Sequence, residues 1–138
     1  MSSYIHQTTV RICQTDAAGV VYFAEYFNLA HHGYEAFLDE IYPVNRGFDE
    51  GILLPIVHAE ADYHQPLRVS QKITSELVAK KIKRTSFTLG HTIKTQAGEV
   101  AARVTTIHAA IDANWKSVRI PAPLRSALEA IQVPNETT

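Results

Sequence analysis

A chain of 138 residues, 46% of them hydrophobic, has the length of one domain and enough apolar surface to build a core, so residues 1–138 are expected to form a single domain. A formal net charge of −1 offers no positive field to a nucleic acid or an anionic membrane surface, and a single cysteine excludes a disulfide framework and a cysteine metal cluster while suiting a reducing compartment. No stretch approaches the roughly 18–20 apolar residues that span a bilayer, and none at the start has signal-peptide character, so a soluble cytoplasmic protein is expected.

Tyr4 to Ile12 alternates weakly and is rich in β-branched residues, which predicts a first strand. Asp16 follows it, in a strand-to-helix connection with the small-residue turn Ala17-Ala18-Gly19. From Tyr26 the apolar residues recur at helical spacing (Tyr26, Ala30, Gly33, Tyr34, Phe37, Ile41), with Glu25, Asn28, His32, Glu35 and Asp39 on the other face. This is the one long helix. Pro43 to Gly51 is rich in breakers and reads as a connecting loop. Ile52 to His64 reads as a second strand, with Pro55 marking a bend or an edge.

Lys72–Lys83, Ser86–Thr95 and Glu99–Asp112 alternate as strands joined by turns at Arg84-Thr85 and Ala97-Gly98, hence as antiparallel neighbours. Trp115 to Ile120 suggests a short sixth strand. Pro123 suits the first turn of a final helix carrying Leu124, Ala127, Leu128 and Ile131. The expected class is α+β: an antiparallel sheet of five or six strands wrapped around one long central helix, with a short C-terminal helix. One helix covers one sheet face and leaves the edges bare, so at least a dimer is expected.

Chemistry is expected at the start of the long helix. Its first N–H groups have no partner within the helix and carry partial positive charge, so a carbonyl placed there is polarised and an oxyanion is stabilised. Asp16, a few residues upstream, is placed to attack such a carbonyl or to deprotonate a water beside it. An Asp before a helix also serves as a cap or turn residue, and the residues alone leave both roles open. Glu25 and Glu35, on the helix's polar side, are the rival acids; a solvated face is their plainer reading.

Adjacent His31 and His32 point to different sides, and His58, His64, His91 and His108 are scattered over strands, so no metal site is expected. Cys13 reads as a small buried residue at a strand end. Lys80, Lys81, Lys83 and Arg84 form the densest basic group. They suit a solvated hairpin end or, with Arg119 and Arg125, a seat for phosphates. Tyr22, Phe23, Tyr26 and Phe27 are mostly core and partly the wall of an aromatic pocket, with Leu53, Leu54 and Ile56 contributed across a dimer interface.

The segment TDAAGVVYFAEYFNLAHHGYEAFL and this element order resemble the hotdog fold, in which a long antiparallel sheet wraps a central helix. Within it the chain resembles the 4-hydroxybenzoyl-CoA thioesterase family, whose signature is an Asp, small residues, a Gly, then apolar and aromatic residues entering the helix. Asp16, Gly19, Val20, Val21, Tyr22 and Phe23 fit in order, and ADYHQPLRVSQKI is similar to the family's strand ending in a Pro and a turn. The resemblance spans roughly Thr8 to His108. The acid that the family often carries near Ser70 is a serine here. The likeness is greatest to the branch acting on 1,4-dihydroxy-2-naphthoyl-CoA in phylloquinone and menaquinone biosynthesis.

The resemblance implies an acyl-CoA thioesterase that needs no cofactor or metal. Asp16 would be nucleophile or general base, the Phe23 backbone N–H the oxyanion donor, and Gly19 the residue that lets backbone approach the ligand. Lys83, Arg84, Arg119 and Arg125 would face the coenzyme A phosphates, and Tyr22, Tyr26, Leu54 and His64 the acyl group. A homo-oligomer is implied, a dimer and then a tetramer of two dimers, with no nucleic-acid or membrane partner. A broad short-chain or 4-hydroxybenzoyl-type thioesterase, and a non-catalytic acyl-CoA-binding hotdog module, are the alternatives.

Overall fold

The computed structural model describes residues 3–134. Five antiparallel strands form one sheet in the order β1-β3-β4-β5-β2: β1 (Tyr4–Thr9), β2 (Ile56–Tyr63), β3 (Lys72–Ile82), β4 (Ser86–Thr95) and β5 (Val100–Ala109). The long helix α1 (Glu25–Ile41) lies across one face. Its buried side is the periodic one: Tyr26, Leu29, Ala30, Gly33, Tyr34, Phe37 and Leu38. Opposite them, β3 and β4 present every second residue inward, among them Leu77, Phe87, Leu89 and Ile93, all buried. Each such side chain contributes about 1.5–3 kcal/mol by leaving water. A Cβ on Gly33 would stand 3.2 Å from Ser75 Oγ, so the missing side chain is what lets α1 settle onto β3.

Several expectations need correction. The expected Pro43–Gly51 loop contains a short helix, α2 (Val44–Asp49). Pro43, with φ −54°, is pre-set as the residue before a helix, and Gly51 ends the element at φ +73°. The expected sixth strand at Trp115–Ile120 is absent; only Ser117 bridges to Ile111. Asp112 Oδ1 accepts from the N–H groups of Asn114 and Lys116, and Trp115 takes φ +63°, so the segment is spent turning the chain.

The first strand stops at Thr9, and a single 3-10 turn (Ile12–Gln14) follows, its Gln14 side chain accepting from the Arg11 N–H. The second strand begins only after Pro55.

The two sheet edges differ. Beyond the β1 pairing, which ends at Tyr4 opposite Leu77, the backbone of Ala79 bonds to Ile131 and Val133. These follow the last helix, α3 (Ala122–Ala130), whose Leu124 and Leu128 are buried against the end of α1. The β2 edge has no such cover among the described residues, and Val57 on it is 62% exposed. No described helix is long and apolar enough to cross a membrane.

Candidate active site

Asp16 sits on a tight turn rather than at a helix cap; the residue before α1 is Ala24, and its side chain caps nothing. The turn is closed by Gly19 N–H to Asp16 O and by Asp16 N–H to Val20 O, while Asp16 Oδ1 accepts from Ala18 N–H at 2.8 Å. One carboxylate oxygen is thus held and the residue as a whole is exposed. Gly19 takes φ +79°, and a Cβ there would meet nothing within 4 Å. The turn therefore needs glycine for its backbone conformation, and no protein atom crowds the place a Cβ would take. A bridge between Thr15 and Val21, with Tyr22 N–H bonded to Gln14 O, folds the segment back so that Asp16 and Phe23 lie at the same end of α1.

None of the hydrogen bonds among the described residues uses the Phe23 N–H, and the residue is 59% exposed. Its carbonyl, in contrast, is pinned: Tyr63 Oη donates to it at 2.8 Å, and the Tyr63 ring meets Tyr26 edge-on at 5.1 Å. Tyr63 thereby fixes the peptide that leads into α1. Sequence reasoning missed this residue, because a partner 40 positions away leaves no local pattern.

The four residues expected around an acyl group do not share one cavity. Tyr22 is exposed and tilted against Phe23, Tyr26 is buried beside Tyr63, and His64 is exposed just past β2. Leu54 lies elsewhere, on a cavity of about 200 Å³ formed by α1 (His31, Tyr34, Leu38), Tyr42 just after it, and α2 (Phe48). A smaller cavity of about 70 Å³ shares His31 and Tyr34 with it and runs beneath α1 from Phe27 to the inner faces of β4 and β5. Its floor is polar. His91 Nε2 and His108 Nε2 lie 2.9 Å and 2.8 Å from the one hydroxyl of Thr106. Burial, with His31 and Lys80 adding repulsion, pushes the His91 imidazole down to about 4, and burial above all takes His108 to about 3.

Lys83, Arg84, Arg119 and Arg125 do converge. They ring one depression at the β3–β4 turn, where the Arg125 guanidinium donates to Lys83 O and Ile120 N–H to Arg84 O. This depression is at the far end of β3 from the Asp16 turn, which is tied to Leu67 and Arg68 just before β3 begins. The length of β3 separates them, roughly 33 Å at about 3.3 Å per residue.

Of the rival acids, Glu25 accepts from Asn28 and Glu35 is exposed. Cys13, expected to be buried, is exposed, because the 3-10 turn lifts it off the strand end. No cluster of three or more His, Cys, Asp or Glu side chains is placed to hold a metal among the described residues.

The description "thioesterase-like superfamily" belongs to a family model that matches residues 10–128. A 1,4-dihydroxy-2-naphthoyl-CoA hydrolase of Gloeothece citriformis is 40% identical over 112 residues, 78% of each chain. One of Synechococcus elongatus is 36% identical over 128 residues, 91% of this chain and 93% of its own. The crystal structure of a 1,4-dihydroxy-2-naphthoyl-CoA thioesterase from Synechocystis superposes with a TM-score of 0.86 at 25% identity, covering 92% of this chain and 96% of that one. With the sheet wrapped on its helix, the acid on the turn before that helix, and these relatives over most of its length, the chain belongs to the thioesterase-like superfamily of hotdog proteins.

Proposed function

We propose that this protein hydrolyses an aromatic acyl-CoA, 1,4-dihydroxy-2-naphthoyl-CoA, to the free naphthoate and coenzyme A, a step of phylloquinone or menaquinone biosynthesis. The observation that carries the reading is the named activity of relatives 36–40% identical. The Asp16 turn and the unpartnered Phe23 amide supply the chemistry. The thioester oxygen accepts from the Phe23 N–H at the positive end of α1. Asp16 then attacks the carbonyl to give a mixed anhydride that water opens, or removes a proton from the attacking water. Either way one water is consumed, the C–S bond breaks, and the thiol leaves with a proton. A reducing cytoplasm suits the exposed Cys13.

Thiol release from a panel of 1,4-dihydroxy-2-naphthoyl, 4-hydroxybenzoyl, phenylacetyl and straight-chain CoA esters tests it. A sharp preference for the naphthoyl ester is expected. Flat, weak release across the panel would instead mark a broad thioesterase, and tight binding without release a non-catalytic module.

The site takes shape between two chains. Antiparallel pairing of the bare β2 edge with its copy puts the Ile56 end of the partner's strand beside the Tyr63 end of this one. The partner's basic depression then approaches this chain's Asp16 turn, and coenzyme A lies between them. Two such dimers would make the tetramer. Mixed dimers test the sharing. Asp16→Asn chains should lose turnover, and Lys83→Ala/Arg84→Ala chains should show a raised KM. A dimer of one of each should recover about half the wild-type rate per dimer at the wild-type KM, because one of its two sites carries neither defect. Turnover at only the raised KM would mean that each chain completes its own site.

A further inference from the structure

The cavity walled by Phe27, His31 and Tyr34 of α1 and floored by His91, Thr106 and His108 holds polar atoms that the hydrolysis does not use. His91, His108 and Tyr34 are 2%, 1% and 3% exposed. Their remaining polar atoms, Nδ1 of each histidine and the Tyr34 Oη, have no partner among the described residues. Buried polar groups are rarely left so.

The network dictates what these atoms offer. Both imidazoles are neutral near pH 7, since burial lowers both. Thr106 has one hydroxyl proton and faces two Nε2 atoms. Both contacts are hydrogen bonds and its own proton is used only if it donates to one histidine and accepts from the other. The two histidines are thereby assigned opposite tautomers, so one Nδ1 is a free N–H donor and the other a free acceptor. With no charge on either ring, a neutral group that both donates and accepts fits better than a carboxylate or phosphate. Phe27 and Tyr34 add flat aromatic walls.

We propose that this recess seats a ring hydroxyl of the aromatic acyl group, with the His91–Thr106–His108 relay and Tyr34 as its specificity-determining residues. The inference rests on the thioesterase reading above and deepens it. The recess also borders Ile56 and Ala59 of β2, the edge where the partner's Asp16 turn would lie, so the acyl ring enters from the shared site.

Two esters test it, 1,4-dihydroxy-2-naphthoyl-CoA and 2-naphthoyl-CoA, which lacks the hydroxyls. Wild type should favour the hydroxylated ester in kcat/KM. Thr106→Val keeps the shape but breaks both hydrogen bonds, and it should cut that preference roughly 10- to 100-fold, with His108→Phe doing the same and Thr106→Ser restoring it. Equal losses on both esters, or no loss on either, would overturn the proposal.

If wild type cleaves neither ester, the thioesterase reading fails, and the recess is judged by 15N spectra of the histidine rings. Opposite neutral tautomers, with Nδ1 shifts produced by 1,4-dihydroxy-2-naphthoate and not by 2-naphthoate, would uphold it. Equal shifts from both acids, or none, would leave the recess to water and reject the proposal.

Discussion

Asp16→Asn is expected to lower kcat by about 1,000-fold or more while coenzyme A binds as before, since a positioned acid or base is worth roughly 10²–10⁴ and a covalent route would be lost altogether. The substitution isolates chemistry from folding. Asparagine keeps an Oδ1 that can accept from the Ala18 N–H, so the turn should survive, and Gly19 retains its left-handed backbone. Thiol release and calorimetric binding of coenzyme A, measured on one preparation, check it. Near-full activity would transfer the role to Glu25 or Glu35. Label in the protein after a single turnover of wild type in 18O-labelled water then identifies the covalent route. Water opening an anhydride at the Asp16 carbonyl leaves label in the protein, whereas water activated by Asp16 leaves label only in the naphthoate.

The second large effect is on stability in acid. His91 and His108 titrate in the folded chain at about 4 and about 3, below their ordinary value near 6.5. Between those values the unfolded chain binds protons that the folded chain refuses, so stability falls as pH drops below about 6.5 and keeps falling towards the folded values. By pH 4.5 each histidine removes ~2–3 kcal/mol, about 5 kcal/mol for the pair, against a total of about 5–15 kcal/mol for a domain.

The groups facing the pair are each other, His31 from α1 and Lys80 from β3; these charges only disfavour protonation further. Glu50, held low by the Tyr42 hydroxyl and Arg46, and Glu76, held low by Lys94, also lose stabilising partners in acid. Urea midpoints at pH 7 and 4.5 measure the sum. His108→Phe, whose ring can keep the stack on Phe87, should remove about half of the histidine part. An unchanged pH dependence in that variant would refute the assignment.

Periodicity made α1 and the three central strands legible, because each buries one regular face. It failed where one residue's backbone outweighed composition. Pro43 and Gly51 looked like loop punctuation yet bracket a helix, and the strand-like segment at Trp115–Ile120 is bent by Asp112 side-chain bonds. The candidate residues Asp16, Gly19 and Phe23 could be picked out because they lie within eight consecutive residues and match a family pattern. Tyr63 and the histidine relay were not. His91 and Thr106 come together only because β4 and β5 align Leu89 with Thr106 and His91 with Val104, a register no local pattern encodes. The basic residues were readable as a group, but not their distance from Asp16, which depends on which end of β3 each turn occupies.

The Tyr63 bond to the Phe23 carbonyl has a further consequence. Tyr63 closes the bare edge strand, and its hydroxyl holds the peptide next to the amide proposed as oxyanion donor. If the proposed dimer forms on that edge, assembly and carbonyl polarisation are mechanically linked through one side chain. A dissociated subunit would not be a half-enzyme with a weaker grip on coenzyme A. It would be one whose amide is no longer held in aim, so that dilution would silence the chemistry along with the binding.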